Sequence, residues 1–92
     1  MGFDLMTVYE SGKPFVIVGS ACSACESFKK EVINANDNSV IYFYVDDLNK
    51  DEIAFISSLK VMQIPTAIKK VNGLGTTHKI KSYADYQSWA SL

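Results

Sequence analysis

Two short runs of apolar residues constrain the fold of this chain more than any other feature of its sequence. Residues 14–19 and residues 40–45 are each apolar along their whole length, without alternating polar positions. A strand with one face in water alternates apolar and polar residues, so a continuous run is typical of a strand that is covered on both faces. Parallel strands of this kind need a crossover between them, usually a helix. We therefore predict an α/β fold built around two buried parallel strands.

Helical patterns precede and follow the first run. Asp4 can cap a short helix over residues 5–11, which Gly12 can end. A second helix is predicted over residues 26–35, because three apolar residues there have helical spacing with Cys25. These residues are Phe28, Val32 and Ile33.

Capping motifs mark two further helices. Asn49 and Glu52 have the spacing of a capping box, and Ser82 and Asp85 repeat that spacing near the end of the chain. Behind each cap, apolar residues share one helical face. They are Ile53, Ile56 and Leu59 in the first segment, and Tyr86, Trp89 and Leu92 in the second.

A hairpin is predicted between these two helices. Residues 66–71 and 76–80 read as strands on either side of Asn72-Gly73-Leu74-Gly75, and an Asn-Gly step accepts the positive φ angles of a tight turn. The predicted order is α-β-α-β-α-β-β-α. We find no repeat, no low-complexity tract and no linker, so we expect one domain over residues 1–92.

Both cysteines of the chain lie in one run, Cys22-Ser23-Ala24-Cys25, between the first predicted strand and the second predicted helix. Unpaired N–H groups at a helix N-terminus favour a thiolate, so this position lowers the pKa of the Cys22 thiol. Two intervening residues let the sulfurs meet, so Cys22 can attack a disulfide and Cys25 can resolve the mixed intermediate. Ala21, Ser23 and Ala24 flank the sulfurs. The expected redox group is the Cys22–Cys25 disulfide itself, without a further cofactor.

Charge and hydropathy narrow the functional classes. A formal net charge of −1 lacks the basic excess typical of nucleic-acid binding. No apolar run approaches the roughly 20 residues that cross a bilayer, and Met1-Gly2-Phe3-Asp4 has no basic segment leading into an apolar one. Two cysteines so close together cannot link distant parts of the chain, as the disulfides of small secreted proteins do. We expect a soluble, cytoplasmic monomer that binds neither nucleic acid nor membrane.

The chain resembles the thioredoxin superfamily over nearly its whole length. Two motifs carry the resemblance: Cys-x-x-Cys between a strand and a helix, and Ile64-Pro65-Thr66 at the start of the hairpin. The resemblance implies a thioredoxin-like fold, with a central mixed sheet of about four strands flanked by helices. It also implies that Pro65 is cis beside the sulfurs, and that Ile64 and Thr66 flank a groove where a substrate peptide pairs as an added strand. The implied function is thiol–disulfide exchange with protein disulfides, with an unidentified reductase or oxidant as partner.

The sequence departs from that family at several functional positions. Thioredoxins resemble Trp-Cys-Gly-Pro-Cys at the site, whereas this chain has Ala21 before Cys22 and Ser-Ala between the cysteines. A buried aspartate and its lysine partner correspond here to Val16 and Tyr42. The glycine near the end of the family's hairpin has no counterpart in residues 79–82. Glutaredoxins, with Cys-Pro-Tyr-Cys, fit the chain less well.

Two alternatives to catalysis stay open. The first is a thioredoxin-fold binding or accessory module whose cysteines sense redox state or merely persist. The second is a zinc site, although one Cys-x-x-Cys supplies only half of a tetrahedral shell and we assign no metal.

Other residues receive no catalytic role from the sequence. His78 stands alone in a predicted edge strand. Lysine pairs at 29–30 and 69–70 read as solvated, although Lys29 or Lys30 could add a weak field near the thiolate. We expect the larger aromatic residues to pack in the core and at its rim: Tyr42, Tyr44 and Trp89.

Overall fold

A computed structural model describes residues 4–92. The interpretation of Met1-Gly2-Phe3 lies outside the described residues. The predicted element order is confirmed. The helices are α1 (Leu5–Ser11), α2 (Ser23–Asn34), α3 (Lys50–Ser58) and α4 (Tyr83–Ala90), and the strands are β1 (Phe15–Val18), β2 (Tyr42–Tyr44), β3 (Thr66–Val71) and β4 (Leu74–Lys79).

The four strands form one mixed sheet in the order β2-β1-β3-β4. β1 pairs in parallel with β2 and antiparallel with β3, and β3 pairs antiparallel with β4. Val16 lies between Tyr42 on one side and Ala67 on the other. The predicted fold class, an α/β sheet of four strands flanked by helices in a thioredoxin-like arrangement, is confirmed. No helix within residues 4–92 is long and apolar enough to cross a membrane.

The central strand separates two apolar cores. Alternate residues of β1 face opposite sides: Val16 and Val18 pack with Cys25 of α2, whereas Phe15 and Ile17 pack with residues of α1 and α3. All four β1 residues are fully buried. This two-sided cover is the physical reason for the continuous apolar run in the sequence.

The prediction that residues 40–45 form a buried strand is wrong in part. β2 is an edge strand of three residues, all only half-buried, and the chain turns at Val45–Asp47 into a short 3-10 helix. Tyr42 and Tyr44 face the core that holds Cys25, while Phe43 faces the other core. Both faces are therefore apolar, although β2 has a neighbouring strand on one edge only.

Helix caps agree with the sequence except at α1. Asn49 and Glu52 form the predicted reciprocal capping box, and the Ser82 side chain accepts the Asp85 N–H. Asp4 stands at the N-cap of α1, but its carboxylate bonds the Thr7 hydroxyl at 3.3 Å and caps no backbone N–H.

Two boundaries differ from those predicted. The hairpin turn is only Asn72-Gly73, with φ of 53° and 80°, so β4 begins at Leu74. In α2, which begins at Ser23 and not at residue 26, Ile33 is 68% exposed and lies off the buried face.

Lys69 is not solvated, contrary to the prediction. Its side chain is buried, and its Nζ donates to the carbonyls of Trp89, Ala90 and Leu92 at 3.3–3.5 Å. A cation at the C-terminus of a helix satisfies carbonyl groups that lack an intrahelical partner. Lys69 thereby ties the end of α4 to the sheet.

Two neighbours of Lys69 hold surface positions. Lys70 makes an exposed ion pair with Glu10. His78 lies 2.9 Å from Asp85 and stacks on the half-buried Trp89 ring. The Lys70–Glu10 pair joins β3 to α1, whereas the His78 contacts join β4 to α4 and explain His78 as a packing residue.

Candidate redox-active site

The cysteine run lies between β1 and α2 and extends into the first turn of α2. Cys22 is the N-cap of α2 and has extended backbone angles, and its Sγ accepts the Cys25 N–H at 3.1 Å. The Cys22 carbonyl accepts the Glu26 N–H at 3.1 Å. A sulfur in the position of a capping oxygen receives N–H donors that helix geometry otherwise leaves unpaired. When the sulfur is reduced, the same donors favour its thiolate form.

Cys22 and Cys25 form a disulfide, with their Cα atoms 5.2 Å apart. The two sulfurs differ in exposure: Cys25 is fully buried, whereas Cys22 is only partly buried. Residues 23 and 24 lie on the outer side of the turn and are exposed, as is Ala21. A reactant in solution therefore meets Cys22 first.

The loop before β3 lies against Cys22. The Ile64 carbonyl oxygen is 3.9 Å from Cys22 Sγ, and the Ile64–Pro65 peptide bond is cis. Thr66 is buried, and its hydroxyl donates to the Gln63 carbonyl. The fold thus brings the two sequence motifs together, although about 40 residues separate them.

Gly19 is a site residue that the sequence interpretation did not single out. A Cβ atom at Gly19 would lie 2.5 Å from Ile64 Cδ1 and 3.9 Å from Cys22 Cβ. A side chain at position 19 would therefore force the terminal methyl group of Ile64 to move from its place beside the end of β1. A glycine that ends an apolar strand just before the cysteines was the available signal.

The floor beneath Cys25 is apolar. The buried residues that pack with it include Val16, Val18 and Phe28, and no Asp or Glu among residues 4–92 is buried. Tyr86 also belongs to it, and burial raises the pKa of the Tyr86 phenol to about 12. Burial likewise raises the pKa of Tyr42. Both phenols therefore stay protonated near neutral pH and offer no anionic base.

Charged groups lie around the mouth of the site. Ser20 donates a hydrogen bond to the Asp46 carboxylate, which links the loop after β1 to the 3-10 helix after β2. Lys29 donates to the Tyr44 hydroxyl, whereas its neighbour Lys30 is exposed. The sequence did not indicate these two cross-links, because each joins residues more than ten positions apart.

Cavities and metal ligands do not define another centre near the sulfurs. A cleft of about 600 Å³ lies at the opposite end of the parallel strands, beside Pro14 and Ile41. A smaller cleft of about 250 Å³ adjoins the site and is lined mainly by apolar residues, including Met62 and Ile64. Within residues 4–92, no three His, Cys, Asp or Glu side chains gather as a metal site would require.

Comparisons with known proteins add no relative. No protein-family model matches the chain, and no curated protein matches it significantly. The structure itself shows a Cys-x-x-Cys disulfide at a helix N-terminus, in a small α/β fold that is compatible with thioredoxin-like proteins.

Proposed function

We propose that this protein is a thiol–disulfide oxidoreductase that exchanges its Cys22–Cys25 dithiol and disulfide with protein disulfides. One observation carries the proposal: the disulfide caps a helix N-terminus, with one cysteine partly exposed and the other fully buried. Inert cysteines do not need this arrangement, whereas a nucleophile and its resolving partner do.

The proposed reaction begins with the Cys22 thiolate. It attacks one sulfur of a substrate disulfide, a mixed disulfide forms, and the other substrate sulfur leaves as a thiolate. Cys25 loses its proton to solvent and attacks Cys22 Sγ, which restores the Cys22–Cys25 disulfide and releases the second substrate thiolate. Two electrons pass from the protein to the substrate. A separate reductase or oxidant returns the protein to its starting state.

The loop at Ile64 would hold the substrate chain. The Pro65 carbonyl accepts the Ile80 N–H at 3.1 Å, which fixes the start of β3 in the sheet. Ile64 precedes the first ladder pair of β3, between Thr66 and Lys79, so its backbone lies beyond the paired part of the strand. An extended substrate segment could pair there as an added strand, within reach of Cys22.

Trapping of the mixed disulfide tests the proposal. A Cys25→Ser variant should accumulate a covalent adduct between Cys22 and a protein disulfide, and a Cys22→Ser variant should form none. Ser23→Ala is the matched control and should behave like the parent, because Ser23 lies in the same exposed turn and takes no part in the proposed reaction. Adducts that form equally well without Cys22 would contradict the assigned roles.

A second candidate is a redox-sensing or binding module of the same fold. The apolar floor beneath Cys25 favours it, since no carboxylate stands ready to accept the Cys25 proton. Turnover separates the candidates: an enzyme reduces many equivalents of substrate, whereas a sensor reacts once per chain.

We further propose that the protein is a cytoplasmic monomer and that a cellular reductant supplies the electrons.

A further inference from the structure

Lys29 lies beside the candidate site, although nothing in the reaction above uses it. It is four residues after Cys25 in α2, so the two side chains lie one turn apart on neighbouring parts of the same helix face. Its Nζ donates to the Tyr44 hydroxyl and lies 4.8 Å from the Tyr44 ring centre and 5.9 Å from that of Tyr42. Lys29 is partly buried, whereas Lys30 is exposed.

The two tyrosines hold this ammonium against the core that contains Cys25. Tyr42 and Tyr44 pair in register with Val16 and Val18, and all four residues pack in the cluster of Cys25. The Tyr44 hydroxyl thus anchors Lys29 at the edge of that cluster.

Among residues 4–92, the Asp37 carboxylate is another charged group beside this cluster: it accepts the Tyr83 hydroxyl, and its negative charge helps to raise the pKa of Tyr42 and Tyr86. Asp37 follows the end of α2, whereas Lys29 is one turn from Cys25. The other elements packed around Cys25 contribute Val16 and Val18 from β1, Ala67 from β3 and the neutral phenol of Tyr86 from α4. The buried Lys69 is bonded to the last carbonyls of α4. In α2 itself, Glu26 is exposed.

We propose that Lys29, anchored by Tyr44, is a positioning residue that favours the Cys25 thiolate during resolution of the mixed disulfide. The inference rests on the proposed function. Lys29 accepts no proton in this step: the Cys25 proton goes to solvent, the Cys22–Cys25 bond forms, and the substrate sulfur leaves with the electron pair of the broken bond. The ammonium lowers the cost of negative charge on a sulfur that is otherwise surrounded by apolar groups.

Stopped-flow mixing with an aromatic disulfide separates the two steps. Attack by Cys22 releases one equivalent of coloured thiolate and resolution by Cys25 releases the second, so the second phase reports resolution alone. It is measured against pH for the parent and for Lys29→Gln. We expect Lys29→Gln to move the midpoint of the pH profile of the second-phase rate upward by roughly 0.5–1 pH unit. Below the midpoint, the second phase of this variant should then be about three- to tenfold slower than that of the parent.

Three variants control the measurement. Lys29→Arg should restore the parent midpoint, Lys30→Gln should leave it unchanged, and Tyr44→Phe should shift it upward by less than Lys29→Gln does. Coincident profiles for the parent and Lys29→Gln would overturn the inference, as would an equal shift in Lys30→Gln, which would show a net-charge effect. If Lys29→Gln does not fold, Tyr44→Phe decides: an unchanged midpoint overturns the inference. A parent that releases no second equivalent would instead overturn the proposed function.

Discussion

Replacement of Val16 by aspartate tests the account of the apolar site floor. Val16 is fully buried, lies between Tyr42 and Ala67 in the sheet, and shares its core cluster with Cys25. A carboxylate at this position would be a base within the cluster that lacks one. We expect Val16→Asp to resolve a mixed disulfide faster than its neutral control does, and to be less stable than the parent.

The stability cost follows from burial. Loss of a buried valine side chain removes about 1.5–2 kcal/mol of apolar burial. A polar group without a partner in the core adds roughly 1–3 kcal/mol. The sum, about 2.5–5 kcal/mol, is a large share of the 5–15 kcal/mol that is typical of a small domain. Burial also raises the pKa of the new carboxyl group, so only part of it is ionised near neutral pH.

Val16→Asn is the matched control, because it has nearly the same shape and polarity but cannot accept a proton as a base. In denaturant unfolding followed by circular dichroism, the two variants should lose similar stability at a pH low enough to protonate the carboxyl group in both the folded and the unfolded state. Near neutral pH, Val16→Asp should lose more, because its raised folded-state pKa makes ionisation costly. In the stopped-flow assay near neutral pH, the second phase of Val16→Asp should be about tenfold faster than that of Val16→Asn.

The parent should show a second phase that rises with pH, since its Cys25 proton passes to solvent. If the parent phase is already fast and independent of pH, another group supplies the base and our interpretation of the floor is wrong. Equal rates in Val16→Asp and Val16→Asn would also contradict it.

Three further predictions concern stability and reactivity. Lys69→Met should destabilise the fold by about 1–2 kcal/mol, because the last carbonyl groups of α4 lose a buried, charged donor. Lys70→Met removes only an exposed ion pair and should cost much less; equal losses in denaturant unfolding would refute the assigned cap. Hydrogen bonds, first that from the Ser39 side chain, lower the pKa of Asp37 below its ordinary value of 3.8. Asp37 therefore stabilises the fold above pH 3.8, and this stabilisation is lost as the pH falls through the lower pKa of the folded state. Asp37→Asn should weaken the fall of the free energy of unfolding at acid pH, and an unchanged fall would argue against this role. Reduced Cys22 should be alkylated faster than reduced Cys25, as measured on the single serine variants; the reverse order would overturn the assigned roles.

Local signals in the sequence predicted most of the fold. The capping box of Asn49 and Glu52 depends on residues three positions apart, and the Asn72-Gly73 turn depends on two adjacent residues. β1 was equally clear, because a strand buried on both faces needs no polar position. The cap and the turn are decided by the residues themselves, and the apolar run of β1 records the cover on both of its faces.

Features that depend on distant parts of the chain were missed. Whether residues 40–45 form a central or an edge strand is decided by the number of strands beside them, which no run of apolar residues encodes. Lys69 resembles any surface lysine until the end of α4 lies over it. Gly19 shows its importance only when Ile64 comes close, across about 45 positions of sequence.

The candidate site divides in the same way. The Cys-x-x-Cys spacing and its place at a helix start were readable from the sequence, as was the missing acid at Val16. The places of the two cysteines at the helix start also predict an accessible Cys22 and a shielded Cys25, as the structure has them. The anchoring of Lys29 by Tyr44 was not readable from the sequence, since it arises from packing between elements.

Catalysed reduction of a protein disulfide tests the central claim most directly. The protein is mixed with a disulfide-containing protein and excess small-molecule dithiol, and the free thiols of the substrate are followed in time. We predict a rate that rises in proportion to the parent concentration, with many turnovers per chain, and that falls to the uncatalysed rate in Cys22→Ala. A parent no faster than Cys22→Ala would contradict the assignment of this protein as a thiol–disulfide oxidoreductase.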